Sequence, residues 1–182
     1  MSWSDRFLTL FAEIAGPLAD VLNADGCREG WLQGELYRHF RRHSNGFRVN
    51  FSYRSGRVKH DLYCSPPNEM VAELKVFGLR GYLNKNLCGQ SNIDRFLPAV
   101  AGTRVMLRRD EIDRLQPASG SYLADVRRLW QLPDLLERYM ILVLQKAHDP
   151  DDFGRAISAI QVSSEEREWQ CQDFLVRVSR IQ

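Results

Sequence analysis

Val58-Lys59-His60-Asp61-Leu62-Tyr63 and, beyond a turn, Val71-Ala72-Glu73-Leu74-Lys75-Val76-Phe77 are the two runs that decide the fold of this chain. Side chains alternate faces along a strand, so residues i and i+2 share a face. Glu73 and Lys75 therefore point one way, and Ala72, Leu74 and Val76 point the other, toward a core. Pro66-Pro67-Asn68 between the runs is a turn signal. A hairpin here brings Asp61 beside Glu73 and turns His60 to the opposite face. Two facing carboxylates repel, which raises the pKa of at least one of them. A divalent cation relieves that conflict, and oxygen ligands suit Mg²⁺ or Mn²⁺. A lysine alongside can orient or deprotonate a water, or stabilise charge on a phosphate.

Asp61 followed by Glu73-Leu74-Lys75 resembles the signature of the PD-(D/E)xK, or restriction-endonuclease-like, nuclease superfamily. The resemblance spans about residues 28 to 100, with a weaker echo to about 146. His60 stands where that family commonly has a proline. The resemblance implies an α/β fold with a central mixed sheet flanked by helices, entered by a helix and three antiparallel strands. It implies Mg²⁺-dependent (or Mn²⁺-dependent) hydrolysis of phosphodiester bonds, with DNA favoured over RNA. By analogy Asp61, Glu73 and the main-chain carbonyl near Leu74 hold the metal, and Lys75 positions or activates the attacking water. Glu35, on the helix before the sheet, and Gln90, on the segment after it, are the further candidate catalytic residues.

Outward from this motif, the chain reads as alternating elements. Ser4 is a candidate cap for a helix with Phe7, Leu10, Phe11, Ile14, Leu18, Val21 and Leu22 at helical spacing, bent or split by Pro17. Residues 1–26 thus form an N-terminal helical segment packed on a single domain, 27–182. A second helix runs from about Arg28 to His43 with Trp31, Leu32, Leu36 and Phe40 inward. Phe47, Val49, Phe51 and Tyr53 alternate with Arg48, Asn50, Ser52 and Arg54, which is the clearest strand of the chain. Arg104–Leu115 is mixed, Leu123–Leu132 is helical up to Pro133, and Asp149–Ile160 reads as a capped helix. Tyr139-Met140-Ile141-Leu142-Val143-Leu144 is continuously apolar, as a central strand buried on both faces would be. Phe174, Val176 and Val178 mark a final strand.

The bulk numbers bound the function classes. At 182 residues, 44% hydrophobic and 26% charged, the chain has ordinary globular composition, and its net charge is only +2. The charge is uneven, however. Between Cys27 and His60 stand Arg28, Arg38, Arg41, Arg42, Arg48, Arg54, Arg57 and Lys59, against Glu29 and Glu35. Such a basic field beside a metal site suits a polyanion, and Arg38, Arg41, Arg42 and Arg48 are the candidate nucleic-acid contacts. Cys27, Cys64, Cys88 and Cys171 form no CxxC pair, which argues against zinc. There is no Gly-rich phosphate loop and no GxSxG elbow. Asp5, Arg6 and Glu13 interrupt the apolar start, and no apolar run reaches membrane-spanning length, so the expectation is a cytoplasmic protein with reduced thiols and no membrane partner. A homodimer, a protein partner, or a non-cutting nucleic-acid-binding, immunity or regulatory module on the same fold all stay open.

Overall fold

Ser2 begins the structure by capping the first helix. Its hydroxyl accepts from the Asp5 backbone N–H, while the Asp5 carboxylate accepts from the Ser2 N–H. The cap thus falls two residues earlier than the sequence expectation, and Ser4 is buried inside the helix instead. The computed structural model describes residues 1–24, 28–53, 58–78, 104–146 and 157–182. Helix α1 covers Trp3–Glu13 and α2 covers Ala15–Leu22. The break comes at Ile14, and Pro17 lies in the first turn of α2, where a missing N–H leaves no helical bond unmade. Helix α3 covers Arg28–Arg41.

Three strands follow: β1 (Phe47–Ser52), β2 (Lys59–Cys64) and β3 (Met70–Phe77). Then come a short β4 (Val105–Met106), α4 (Arg109–Leu115), α5 (Tyr122–Trp130), β5 (Glu137–Gln145), a short β6 (Ile160–Gln161), β7 (Glu165–Gln170) and β8 (Phe174–Arg180). The main sheet has six strands in the order β1-β2-β3-β5-β8-β7, and β4 pairs with β6 separately. Only the β3–β5 pairing within the main sheet is parallel. The protein is therefore an α/β molecule with a mixed sheet between two helical layers. The expected helix over Asp149–Ile160 lies largely outside the described residues. Ile157–Ala159 are helical, and Ile160 already belongs to β6.

Alternation along the strands sorts the core into two layers. On one face Ala72, Leu74 and Val76 of β3 and Tyr139, Ile141 and Val143 of β5 meet Phe7, Phe11, Leu18, Leu32, Leu36 and Phe40 from α1, α2 and α3. On the other, Val71 and Phe77 of β3 and Met140, Leu142 and Leu144 of β5 meet Ile112 of α4 and Tyr122, Leu123, Val126 and Leu129 of α5. Strand β5 is buried on both sides, as its unbroken apolar run requires. Where β3 ends, the chain runs close to α2. A Cβ at Gly78 would come within 2.7 Å of the Leu22 carbonyl oxygen and of Arg28 Nε. Arg28 Nε itself donates to that carbonyl at 3.0 Å, which fixes the start of α3 beside the end of β3.

Candidate active site

Glu73 and Lys75 share the second face of β3, flanked along the strand by Val71 and Phe77. Glu73 is 1% exposed, and leaving its carboxylate without a partner there would be costly. Two other elements supply the partners. Arg128 Nη2 on α5 forms an ion pair with Glu73 Oε2 at 2.9 Å. His60 Nδ1 on β2 shares a 2.6 Å hydrogen bond with Glu73 Oε1. Lys75 Nζ pairs with Asp125 Oδ2 of α5 at 2.8 Å and lies 4.0 Å from Glu29 Oε2 of α3. Arg128 Nη2 also reaches Asp125 Oδ1 at 2.6 Å. Residues 125 and 128 are three apart on one helix and so stand on one face of it. Residues 73 and 75 are two apart on one strand. Helix and strand thus present two charges each across the interface.

His60 departs from the face that simple alternation assigns it. Leu62 and Cys64 lie in the α1–α3 layer, so counting back from them puts His60 in that layer too. It instead reaches Glu73 on the α5 side and is buried. Asp61 stays beside Glu73, as the hairpin reading expects, and its charge acts on both Glu73 and Lys75. Its Oδ1 accepts from Gln33 Nε2 of α3 at 2.9 Å, and its Oδ2 accepts from the Leu74 backbone N–H at 2.7 Å. The neighbouring strand shows the same reversal. Phe47 and Val49 pack in the α1–α3 layer, yet Phe51 stacks on Tyr63, whose ring packs against the opposite core, at 4.4 Å between centroids. Between Val49 and Phe51 stands Asn50 with φ of 50°. A left-handed residue breaks the two-residue period of a strand, and asparagine tolerates that conformation better than most. Asn50 Nδ2 then donates to Gln33 Oε1 at 3.3 Å, tying the kink to α3.

The resulting electrostatics are uneven. Burial, then the nearby charge of Asp61, pushes the Glu73 carboxyl up to about 9, against the opposing pull of Arg128. Burial and the charge of Arg128 push His60 down to about 4, so the imidazole is neutral near pH 7. Burial alone would lower the Lys75 ammonium, but Asp125 and Glu29 outweigh it and raise it. With His60 neutral, the acids Asp61, Glu73 and Asp125 face the cations Lys75 and Arg128. Glu29 adds a fourth, half-buried acid beside Lys75. Acids therefore outnumber cations, and Glu73, buried beside the charges of Asp61 and Asp125, is the one pushed toward its protonated form.

The other residues singled out by sequence divide. Glu35 pairs with Arg38 through Nε at 3.1 Å and Nη2 at 2.6 Å, and no described contact joins it to Asp61, Glu73 or Lys75. The α3 residues that do reach the site are Gln33 and Glu29, four apart on one helix face. Gln90 lies outside the described residues. Arg38, Arg42 and Arg48 are exposed. Arg41 and Arg48 both donate to the Asn45 carbonyl, Arg48 at 2.9 Å, so part of the basic window orders the turn between α3 and β1. Asp125 and Arg128 were not legible as site residues. They read as the polar positions of an amphipathic helix, and only the packing turns them inward.

Asp61, Glu73 and the main-chain oxygen of Leu74 are hard oxygen donors of the kind a divalent cation takes. The Leu74 N–H faces β2, where the last described β2–β3 partner pair is Leu62 with Ala72. The carbonyl of a strand residue faces the same side as its N–H, so that oxygen is directed toward the Asp61 side. As arranged, both carboxylates already take protein donors, and among the described residues no group of three or more His, Cys, Asp or Glu is gathered to hold a metal. The donor set fits a cation in kind, provided Arg128 yields its contact with Glu73. No helix among the described residues is long and apolar enough to cross a membrane. Comparison with protein-family models, with curated proteins and with solved structures finds no match to the chain.

Proposed function

We propose that the protein is a metal-dependent nuclease of restriction-endonuclease-like fold, hydrolysing phosphodiester bonds of nucleic acid, DNA in preference to RNA. The observation that carries the proposal is the placement of Asp61 and Glu73 on neighbouring antiparallel strands, with Lys75 on the face of Glu73. The order α3-β1-β2-β3-β4-α4-α5-β5, with β3 parallel to β5, supports the same fold reading. A divalent cation would take the place of the proton that burial and the charge of Asp61 keep on Glu73.

Asp61, Glu73 and the Leu74 carbonyl would hold Mg²⁺ or Mn²⁺, which when bound neutralises charge on the scissile phosphate and the departing oxygen. Lys75 supplies a positioned ammonium on the face of Glu73. Its Nζ directs a donor at an attacking water or at a non-bridging phosphate oxygen. Asp61 is held in place by Gln33 and the Leu74 N–H, so its orientation is set before any ligand arrives. Arg42, Arg38 and Arg48 offer exposed charge for the phosphate backbone. Arg41 and Arg42 stand about 12 Å along the α3 axis from Gln33, at 1.5 Å per residue, a separation that a strand of a few nucleotides covers.

Cleavage of labelled DNA and RNA with Mg²⁺ or Mn²⁺, and its loss on chelation, tests the proposal. Glu73→Ala and Lys75→Ala should each lower the rate by at least about 100-fold while circular dichroism stays unchanged. Equal cleavage by wild type and Glu73→Ala would place the activity elsewhere. A second reading, a nucleic-acid-binding or protein-interaction module that does not cut, is favoured by one observation: both oxygens of Glu73 are engaged by His60 and Arg128. Metal-independent binding that survives Glu73→Ala, with no cleavage, would decide for it.

A further inference from the structure

We propose that Asp125 is a positioning residue for Lys75, which makes α5 a working wall of the site. The inference rests on the nuclease reading of Lys75. Lysine carries its ammonium on four rotatable carbons, and a donor acts efficiently only when its direction is fixed. Asp125 supplies a fixed opposite charge that anchors the ammonium through an ion pair. Its Oδ2 lies 2.8 Å from Lys75 Nζ, and Glu29 Oε2 at 4.0 Å bounds the ammonium on the α3 side. Asp125 is itself held: it is 1% exposed, and its Oδ1 takes Arg128 Nη2 at 2.6 Å.

Asp125 stands on the apolar side of α5, among Tyr122, Leu123, Val126 and Leu129, all buried. A carboxylate is a poor choice for packing there. Replacing a buried ion pair by apolar side chains of similar volume commonly leaves stability unchanged or raises it. Stability alone therefore does not account for an acid at this position. What it does locally is aim one ammonium, and through Arg128 it also fixes the guanidinium that touches Glu73.

The test combines dynamics with kinetics on the full chain. The lysines of the chain are Lys59, Lys75, Lys85 and Lys146, so ¹⁵N-lysine labelling resolves Lys75 Nζ, assigned by its loss in Lys75→Arg. In wild type the Lys75 ammonium should be as ordered as the backbone. In Asp125→Asn it should become as mobile as that of exposed Lys59, and kcat should fall roughly 10- to 100-fold with KM within about twofold. A purely structural role would lower the melting temperature without that split. Should Asp125→Asn fail to fold, Asp125→Ser removes the carboxylate with a smaller side chain, and the same two readouts apply. An ordered Lys75 in the variant overturns the inference, as does a mobile Lys75 with unchanged kcat. Absence of cleavage by wild type with any divalent metal overturns the nuclease reading itself, and Lys75 mobility then reports separately whether Asp125 holds the ammonium.

Discussion

On one face of β3, Ala72, Leu74 and Val76 pack against aliphatic and aromatic side chains from α1, α2 and α3. On the other, two residues along at each step, Glu73 and Lys75 are covered by α5. Both faces are removed from water, but the first is wholly apolar, whereas on the second Val71 and Phe77 flank the two charged positions. The second needs polar partners for Glu73 and Lys75, and α5 brings Arg128 to the first and Asp125 to the second. A polar face costs desolvation that an apolar one does not. Its retention in a strand so well packed otherwise argues that the second face is kept for what it does.

The largest effect should separate the two faces directly. Leu74→Ala leaves a cavity in the first layer and should cost about 2–5 kcal/mol. Glu73→Gln, at a carboxyl that already keeps its proton near pH 7, should cost under about 1.5 kcal/mol, in the range of one neutral hydrogen bond. Denaturant melts of both variants at pH 7 give the comparison. If Glu73→Gln costs as much as Leu74→Ala, Glu73 is ionised in the folded protein and the cluster is a fully paired structural network.

The second effect concerns the cation on α5. Arg128 holds a place at Glu73 that a divalent metal would contest. Arg128→Gln should bind Mn²⁺ about tenfold more tightly than wild type, equivalent to ~1.4 kcal/mol, while losing stability in the absence of metal. Calorimetric titration with Mn²⁺ checks the first part and thermal melts with and without Mn²⁺ check both. Unchanged Mn²⁺ affinity would mean that Arg128 and the metal do not compete for the same carboxylate.

How much of this the sequence disclosed follows from period and burial. The β5 run, the β3 motif and the amphipathic α3 were legible because apolar spacing alone specifies them. Strand β7 was not: Glu165, Glu166, Arg167 and Glu168 at a sheet edge carry no apolar alternation, and their pairing comes from β8. Asn50 was read as one outward residue in a regular strand, yet its left-handed backbone lies where β1 changes face, level with the point on β2 where His60 turns to Glu73. The pairing of Asp125 and Arg128 with β3 was invisible for a different reason. Charges three apart on a helix look the same whether they face water or a buried strand, and only the tertiary contact distinguishes them.

A smaller effect is the dependence of stability on pH. Glu73 titrates at about 9 when folded against 4.5 as a model carboxyl. Between those values the folded chain holds a proton that the unfolded chain has released, so stability falls as pH rises. His60 acts oppositely, since its pKa drops from 6.5 to about 4. From about pH 4 to 6.5 the unfolded chain holds the extra proton, and stability rises with pH. The two largely cancel between pH 4.5 and 6.5, which leaves a decline from 6.5 to 9 of at most roughly 1.4 kcal/mol per pH unit. Glu73→Gln should flatten that decline, and His60→Gln should leave it in place. Urea melts across pH 6–9 would sink this account if wild type and Glu73→Gln ran parallel.

The smallest effects belong to the exposed arginines, where water screens each charge. Arg41 and Arg48 both spend hydrogen bonds on the Asn45 carbonyl, and Arg38 is engaged by Glu35. Arg42 is exposed at the end of α3. It should therefore be the clearest phosphate contact of the four. With Glu73→Ala as a non-cutting background, nucleic-acid titrations at several salt concentrations give the slope of log K against log salt. Arg42→Ala should make that slope shallower by about 0.7 to 0.9, the release of one counterion. Arg38→Ala should shift it by less, because Glu35 already neutralises part of that charge. Arg41→Ala should act chiefly by loosening the α3–β1 turn, which would show as a lower melting temperature rather than a changed slope. Equal slope changes for all three would mean that the polyanion pulls Arg38 and Arg41 out of their internal contacts, and the basic window would then act as one surface. No slope change for any of them would mean that the substrate path does not run along this basic window.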